Sequence, residues 1–132
     1  MKMPVQLNHT IVAARDKTAA ANFLATMLGL RVAAPFGPFL PVETDNGVTL
    51  DFMDSDPEQI VAQHYAFLVS EEDFDAIFER IRQAGIAFYA DPGHHGTGRI
   101  NHRDGGRGAY FDDPNGHLME LITRPYGATP EQ

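Results

Sequence analysis

Apolar and polar residues change their spacing several times along the chain, from every second position to every third or fourth and back again. Leu7 to Ala14 alternates, with Leu7, His9 and Ile11 on one face and Asn8, Thr10 and Val12 on the other, which predicts a strand. Asp16 then stands as N-cap of a helix over about 17 to 28, where Ala20, Phe23, Leu24, Met27 and Leu28 form the apolar stripe and Gly29 ends it. Three short strands are predicted next, near 30 to 34, 39 to 44 and 48 to 53. Pro35, Gly37-Pro38 and an Asp45-Asn46-Gly47 hairpin turn separate them. The polar, proline-containing stretch 54 to 58 reads as a linker.

The pattern then repeats. Gln63 to Val69 predicts a strand, Ser70 an N-cap, and Glu71, Glu72 and Asp73 favour the positive end of a helix that carries Phe74, Ile77, Phe78 and Ile81 at helical spacing. Gly85 stops that helix and Ile86 to Tyr89 reads as the next strand. Asp112-Asp113-Pro114-Asn115-Gly116 has turn chemistry, and a strand follows from near His117 to Thr123. Alternation there puts Leu118, Glu120 and Ile122 on one face and Met119, Leu121 and Thr123 on the other. Glu120 is the only ionisable side chain on its face, and a buried carboxylate needs a cation or a donor.

Two copies of one unit are legible in this order. Asn46, Gly47 and Asp51 align with Asn115, Gly116 and Glu120 at a constant offset, and His9 with its following apolar residues aligns with His64 and its own. Each copy opens on a strand with a histidine and closes on a strand with an acid. His9, Asp51, His64 and Glu120 therefore hold equivalent places in two equivalent units. If the units pair about a pseudo-twofold axis, the four can converge. Imidazole nitrogen plus carboxylate oxygen suits Zn, Fe(II), Mn, Ni or Co, and two histidines with one carboxylate leave coordination positions open for substrate. The second copy is longer, and its additional residues fall in 92 to 108, rich in Gly, His and Arg. Connections of that length are usually functional or disordered.

Composition narrows the classes. A chain of 132 residues, 43% apolar and 21% charged, can bury the core of one domain, 1–132, made of modules at about 5–56 and 60–125. A formal charge of −8 argues against a nucleic-acid backbone or an anionic membrane as partner. The absence of cysteine removes thiolate nucleophiles and Cys-based zinc sites and fits a cytoplasmic location. The opening Met1-Lys2-Met3-Pro4-Val5 is followed by no apolar signal core, and no apolar run approaches a membrane span.

With paired strand, helix and three-strand units, a histidine opening each, and Asp-Pro-Asn-Gly-His-Leu-Met-Glu-Leu near the end, the chain resembles the vicinal oxygen chelate superfamily over about residues 5 to 125. That superfamily includes glyoxalase I, extradiol dioxygenases, fosfomycin-resistance proteins and bleomycin-binding proteins. The resemblance implies an α+β fold of two tandem βαβββ modules, with curled mixed sheets around a central cup and helices outside. It implies a divalent metal held by His9, His64 and Glu120, with Asp51 where glyoxalases carry a fourth ligand. It also implies a small-molecule substrate, a homodimer, and either isomerase or lyase chemistry in which Asp51 or Glu120 moves a proton, or ring-cleaving dioxygenase chemistry in which a histidine of the 94 to 102 loop is the acid or base and Asp51 stays off the metal. The alternative is a metal-free binder like the antibiotic-sequestering relatives.

Plainer roles compete for the same residues. Glu120 can be explained by a salt bridge to Arg107 or Arg124, and His94, His95 and His102 by a solvated loop, although one of them folded over the site would serve as acid or base. His117 has the wrong parity for a ligand, and Tyr89, Tyr110 and Tyr126 read as packing residues. One expectation separates the metal-binding account from these. Imidazole must be neutral to coordinate, so metal affinity, measured by competition with a chromophoric chelator, falls as pH drops through about 6. Flat affinity from about pH 8 to 5 would speak against histidine ligation.

Overall fold

The computed structural model describes residues 4–127; Met1 to Met3, which form part of the opening segment discussed above, lie outside the described residues. The chain divides into two compact units, Met1–Val61 and Ala62–Gln132. The first contains β1 (His9–Ala14), α1 (Lys17–Leu28), β2 (Phe39–Glu43) and β3 (Thr49–Asp54). The second contains β4 (His64–Leu68), α2 (Glu71–Gln83), β5 (Gly108–Asp112) and β6 (Leu118–Ile122).

Both sheets have one topology. In the first the order is β1-β3-β2, with β1 parallel and β2 antiparallel to β3; in the second it is β4-β6-β5, with the same senses. Each helix carries the chain from the opening strand to a hairpin whose second arm slots in beside that strand. The register repeats as well. His9 faces Thr49 and Ile11 faces Asp51, while His64 faces Leu118 and Ala66 faces Glu120. The duplication seen in the sequence is thus a duplication of pairing. Together the units give the expected α+β arrangement of two βαβββ modules.

The capping predictions are met. Asp16 Oδ1 accepts from the amides of Thr18 and Ala19 at 3.0 and 3.1 Å, and Ser70 Oγ accepts from Asp73 N at 3.0 Å. Gly29 ends α1 at φ 72°, a left-handed conformation in which a Cβ is disfavoured. Helix α1 packs on β1, β2 and β3, and Ala20, Ala21, Leu24 and Met27 share the buried set with Val12, Leu40, Val42, Leu50 and Phe52. In the second unit Phe74, Ile77 and Ile81 are buried, as are Ala109, Phe111, Met119 and Leu121. Met119 and Leu121 are the inward side of β6, which leaves Leu118, Glu120 and Ile122 on its half-exposed face.

Two predicted strands shrink to bridges. The segment 30–34 contributes only the Val32–Val42 bridge, and 86–89 only Tyr89–Tyr110. In the first case the chain turns at once into a tight connection in which Phe36 and Phe39 exchange backbone hydrogen bonds between Pro35 and Pro41. In the second, Phe88 O accepts from Gly98 N and Ala90 N donates to His95 O, so the groups a strand would use serve the glycine-rich connection instead. The linker is also more ordered than expected: Asp54 ends β3 and accepts from Lys17 N, and Pro57–Gln59 is a 3-10 turn capped by Asp56. Among the described residues no helix is long and apolar enough to cross a membrane.

Arg107, just before β5, ties the second sheet to α2. Its Nε donates to Glu71 Oε1 at 2.7 Å and its Nη1 to Asp75 Oδ1 at 2.8 Å, and its guanidinium lies 4.4 Å from the centre of the Phe74 ring. Hydrogen bonding by Thr123 and then by Arg107 holds the Glu71 carboxyl below the ordinary glutamate range. A depressed carboxyl stabilises the fold above its unfolded pKa, and that contribution is lost as pH falls through the folded value. Arg107→Gln is therefore expected to lower the thermal midpoint at neutral pH. As pH falls below the ordinary glutamate range the gap to wild type should narrow as Glu71 protonates; a gap independent of pH would contradict the clamp.

Candidate functional site

The half-exposed face of the second sheet carries the candidate site. Because β4 runs parallel to β6 and starts opposite Leu118, His64 and Glu120 are diagonal neighbours on one face. Their side chains meet there, with His64 Nε2 2.8 Å from Glu120 Oε1. The Glu120 side chain is only 12% exposed, whereas His64 is close to half exposed. A carboxylate that buried is tolerable because it is hydrogen-bonded.

Glu120 has a second partner. Tyr110 faces it across β5–β6, is 3% exposed, and hydrogen-bonds the carboxylate through its hydroxyl. Arg103 Nη1 donates to the same hydroxyl at 3.1 Å. Burial, followed by the hydrogen bond and charge of Glu120, pushes the Tyr110 hydroxyl above the ordinary tyrosine range, with Arg103 opposing, so tyrosine stays a neutral donor at Glu120. Sequence alone assigned Tyr110 to packing. The legible signal was parity, since Tyr110 and Asp112 alternate with the buried Ala109 and Phe111.

The ion pairs that offered a plainer role for Glu120 resolve in part. Arg107 is engaged with Glu71 and Asp75 rather than with Glu120, and Arg124 lines a cavity that Glu120 also lines.

In the first unit the equivalent pair stays apart. His9 and Asp51 occupy the places of His64 and Glu120, but His9 Nδ1 lies 2.8 Å from Asn8 Oδ1 instead. Asp51 is one methylene shorter than glutamate and is 9% exposed between Ile11 and Pro41 in the register. Among the described residues it makes no ion pair. Among those residues, too, no three histidine, aspartate or glutamate side chains gather around one point. The pair that meets is His64 with Glu120.

That pair fits a divalent ion on the chemistry and spacing of its donors. An imidazole nitrogen and a carboxylate oxygen each about 2.1 Å from an ion, at a right angle to one another, stand about 3 Å apart. The observed 2.8 Å separation, closed by a shared proton, is nearly that bite. Tyr110 supplies the outer hydrogen bond that ligating carboxylates commonly have.

His117, in the end motif, is fully buried and plays another part. Its Nδ1 accepts from Gln63 N at 3.0 Å, and Leu118 N donates to Gln63 O at 2.8 Å, so His117 helps to fix the backbone immediately before His64. Asp113 Oδ1 in turn accepts from Asn115 N and His117 N, each at 2.8 Å. The motif is thus a turn that anchors β4. The loop histidines are exposed: His94 Nε2 lies 3.0 Å from Asp112 and His95 Nδ1 3.1 Å from Asp91, while His102 precedes the 3-10 turn Arg103–Gly105. Replacing His117 by Phe keeps much of its volume but leaves the Gln63 amide without its acceptor. The expected loss is about 1–3 kcal/mol in urea unfolding; an unchanged midpoint would remove His117 from this role.

Comparison with known proteins agrees with this architecture. The model of the Glyoxalase/Bleomycin resistance protein/Dioxygenase superfamily matches residues 6–121. Glutathione transferase FosA of Serratia marcescens is 31% identical over 121 residues, covering 87% of this chain and 78% of that protein. Among solved structures, Oxidase ChaP-H2 is 65% identical with a TM-score of 0.92, covering 96% of this chain and 98% of that one. Oxidase ChaP-H1 is 56% identical with a TM-score of 0.90, covering 95% and 100%. The fosfomycin resistance protein FosX from Mesorhizobium loti shares the fold at 22% identity, with a TM-score of 0.69 over 94% of this chain and 96% of that one. The chain belongs to the Glyoxalase/Bleomycin resistance protein/Dioxygenase superfamily.

Proposed function

We propose that the chain is a metal-dependent oxidase of a small molecule bearing two neighbouring oxygens, with His9, His64 and Glu120 as metal ligands and Asp51 as a proton acceptor. The observation that carries it is the contact of His64 with Glu120 at 2.8 Å on a shielded sheet face. The 65% identity to Oxidase ChaP-H2 supports oxidation over isomerisation. His9 is the repeat-equivalent of His64, which supports it as the third ligand.

In this reading the ion, when bound, supplies Lewis acidity toward the paired oxygens and, if it is Fe(II) or Mn, a redox couple for dioxygen. The residues do the rest. His64 and Glu120 offer their donors from one rigid sheet face, and Tyr110 keeps the Glu120 carboxylate oriented by donating to it. Asp51, shielded and without an ion-pair partner among the described residues, would accept a proton from a substrate hydroxyl. The family resemblance supports a homodimer, and the cysteine-free composition is compatible with the cytoplasm.

A second reading, transfer of a thiol such as glutathione, is supported by the 31% identity to FosA and keeps the same ligands. A metal-free binding protein is the remaining alternative. The test is metal content. Protein purified without chelators should hold about one equivalent of Fe, Mn, Zn, Ni or Co per chain, and His9→Ala, His64→Ala and Glu120→Ala should each weaken binding at least about tenfold. Protein that stays metal-free after incubation with these ions would exclude the enzyme readings and favour the binder. Loss on replacing His64 and Glu120 but not His9 would remove His9 from the ligand set.

A further inference from the structure

Beside Glu120 lies a cavity of about 50 Å³ whose wall includes Asn101, Arg103, Tyr110, Ile122 and Arg124 as well as Glu120 itself. A cavity of about 10–15 Å³ on this measure holds one water, so this one takes three or four water-sized groups, the size of a carboxylate and not of a whole organic substrate. The chain as a whole is acidic, at −8, yet three arginines border this space against two carboxylates, Asp104 and Glu120. Arg107 among them is committed to Glu71 and Asp75.

Arg103 is different. Of its five N–H donors, Nη1 serves Tyr110, and among the described residues no carboxylate lies within ion-pair distance of its guanidinium. Its backbone is held in place. Arg103 N donates to Asn101 Oδ1, Asn101 Nδ2 donates to Ala90 O at 2.8 Å, and Gly106 N donates back to Arg103 O. The next residue, Asp104, sits at φ 57°, a left-handed conformation that aspartate adopts more readily than most non-glycine residues and that turns the chain directly after Arg103. The guanidinium also lies over the Tyr110 ring, 5.9 Å from its centre. The result is a fixed cation at the rim of a carboxylate-sized space that opens on Glu120.

We infer that Arg103 and this cavity form a subsite for a carboxylate group of the substrate, so that the molecule acted on is an organic acid whose reacting oxygens lie next to the Arg103-bound anion. This deepens the proposed function and rests on it for the position of the reacting centre. A planar carboxylate matches the guanidinium fork, and Asn101 Nδ2 keeps one N–H beyond the one it gives to Ala90 O. The neutral amide of the same shape lacks the charge and should be rejected.

Benzoate tests this, because it carries a carboxylate without a vicinal oxygen to chelate a metal. It is titrated by calorimetry into the full chain, zinc-loaded and chelator-treated, alongside benzamide and inorganic phosphate. Benzoate should bind the zinc-loaded protein at least about tenfold more tightly than benzamide or phosphate. Arg103→Gln should weaken benzoate at least about tenfold and benzamide hardly at all, while Arg103→Lys retains part of the affinity. Arg103 is exposed, so the variants should keep the wild-type thermal midpoint, and amide shifts on benzoate addition should centre on Arg103 and Tyr110. Benzoate affinity within twofold in Arg103→Gln, phosphate binding as tightly as benzoate, or no benzoate binding to wild type would each overturn the subsite. Benzoate bound through Arg103 in a chain that takes up no metal would instead sink the proposed function and leave the subsite standing.

Discussion

Parallel pairing of the opening and closing strands, β1 with β3 and β4 with β6, is the constraint from which the rest of each unit follows. A parallel pair cannot be joined by a tight turn, so a helix must carry the chain across, and each unit spends twelve or thirteen residues on one. The same register makes the histidine at the start of the first strand the diagonal neighbour of the acid on the last. The meeting of His64 with Glu120 is therefore a product of topology before it is a product of side-chain choice.

What distinguishes the units is small in covalent terms. One methylene lets Glu120 reach His64, whereas Asp51 remains within the first sheet and His9 turns to Asn8. The second unit adds an outer layer that the first does not share. Tyr110 stands where Pro41 stands in the first unit, and only tyrosine can donate to the acid. The long connection before β5 brings Arg103 to that hydroxyl. Duplication supplied two similar frames, and the longer connection specialised one of them.

Much of this was legible in the sequence because it depends on local rules. Alternation gave the faces of β1 and β6, capping chemistry gave Asp16, Gly29 and Ser70, and the internal repeat singled out His9, Asp51, His64 and Glu120. The two strands that shrank to bridges were lost because their backbone groups are used by neighbouring loop residues, which no periodicity records. The roles of Tyr110, Arg103 and His117 were hidden for a related reason. His117 depends on Gln63, 54 residues away, and Arg103 meets Tyr110 across an irregular turn seven residues long, and neither separation follows a spacing rule that a chain read in order offers.

The central claim is that the imidazole and carboxylate meeting at 2.8 Å are two donors of a metal centre and not a surface ion pair. X-ray absorption at the metal edge of the iron- or zinc-loaded protein tests it most directly. The account predicts imidazole scattering from two histidines together with oxygen donors at about 2.0–2.2 Å, with one imidazole shell lost in His64→Ala. A spectrum of oxygen scatterers alone, unchanged by that substitution, would contradict it.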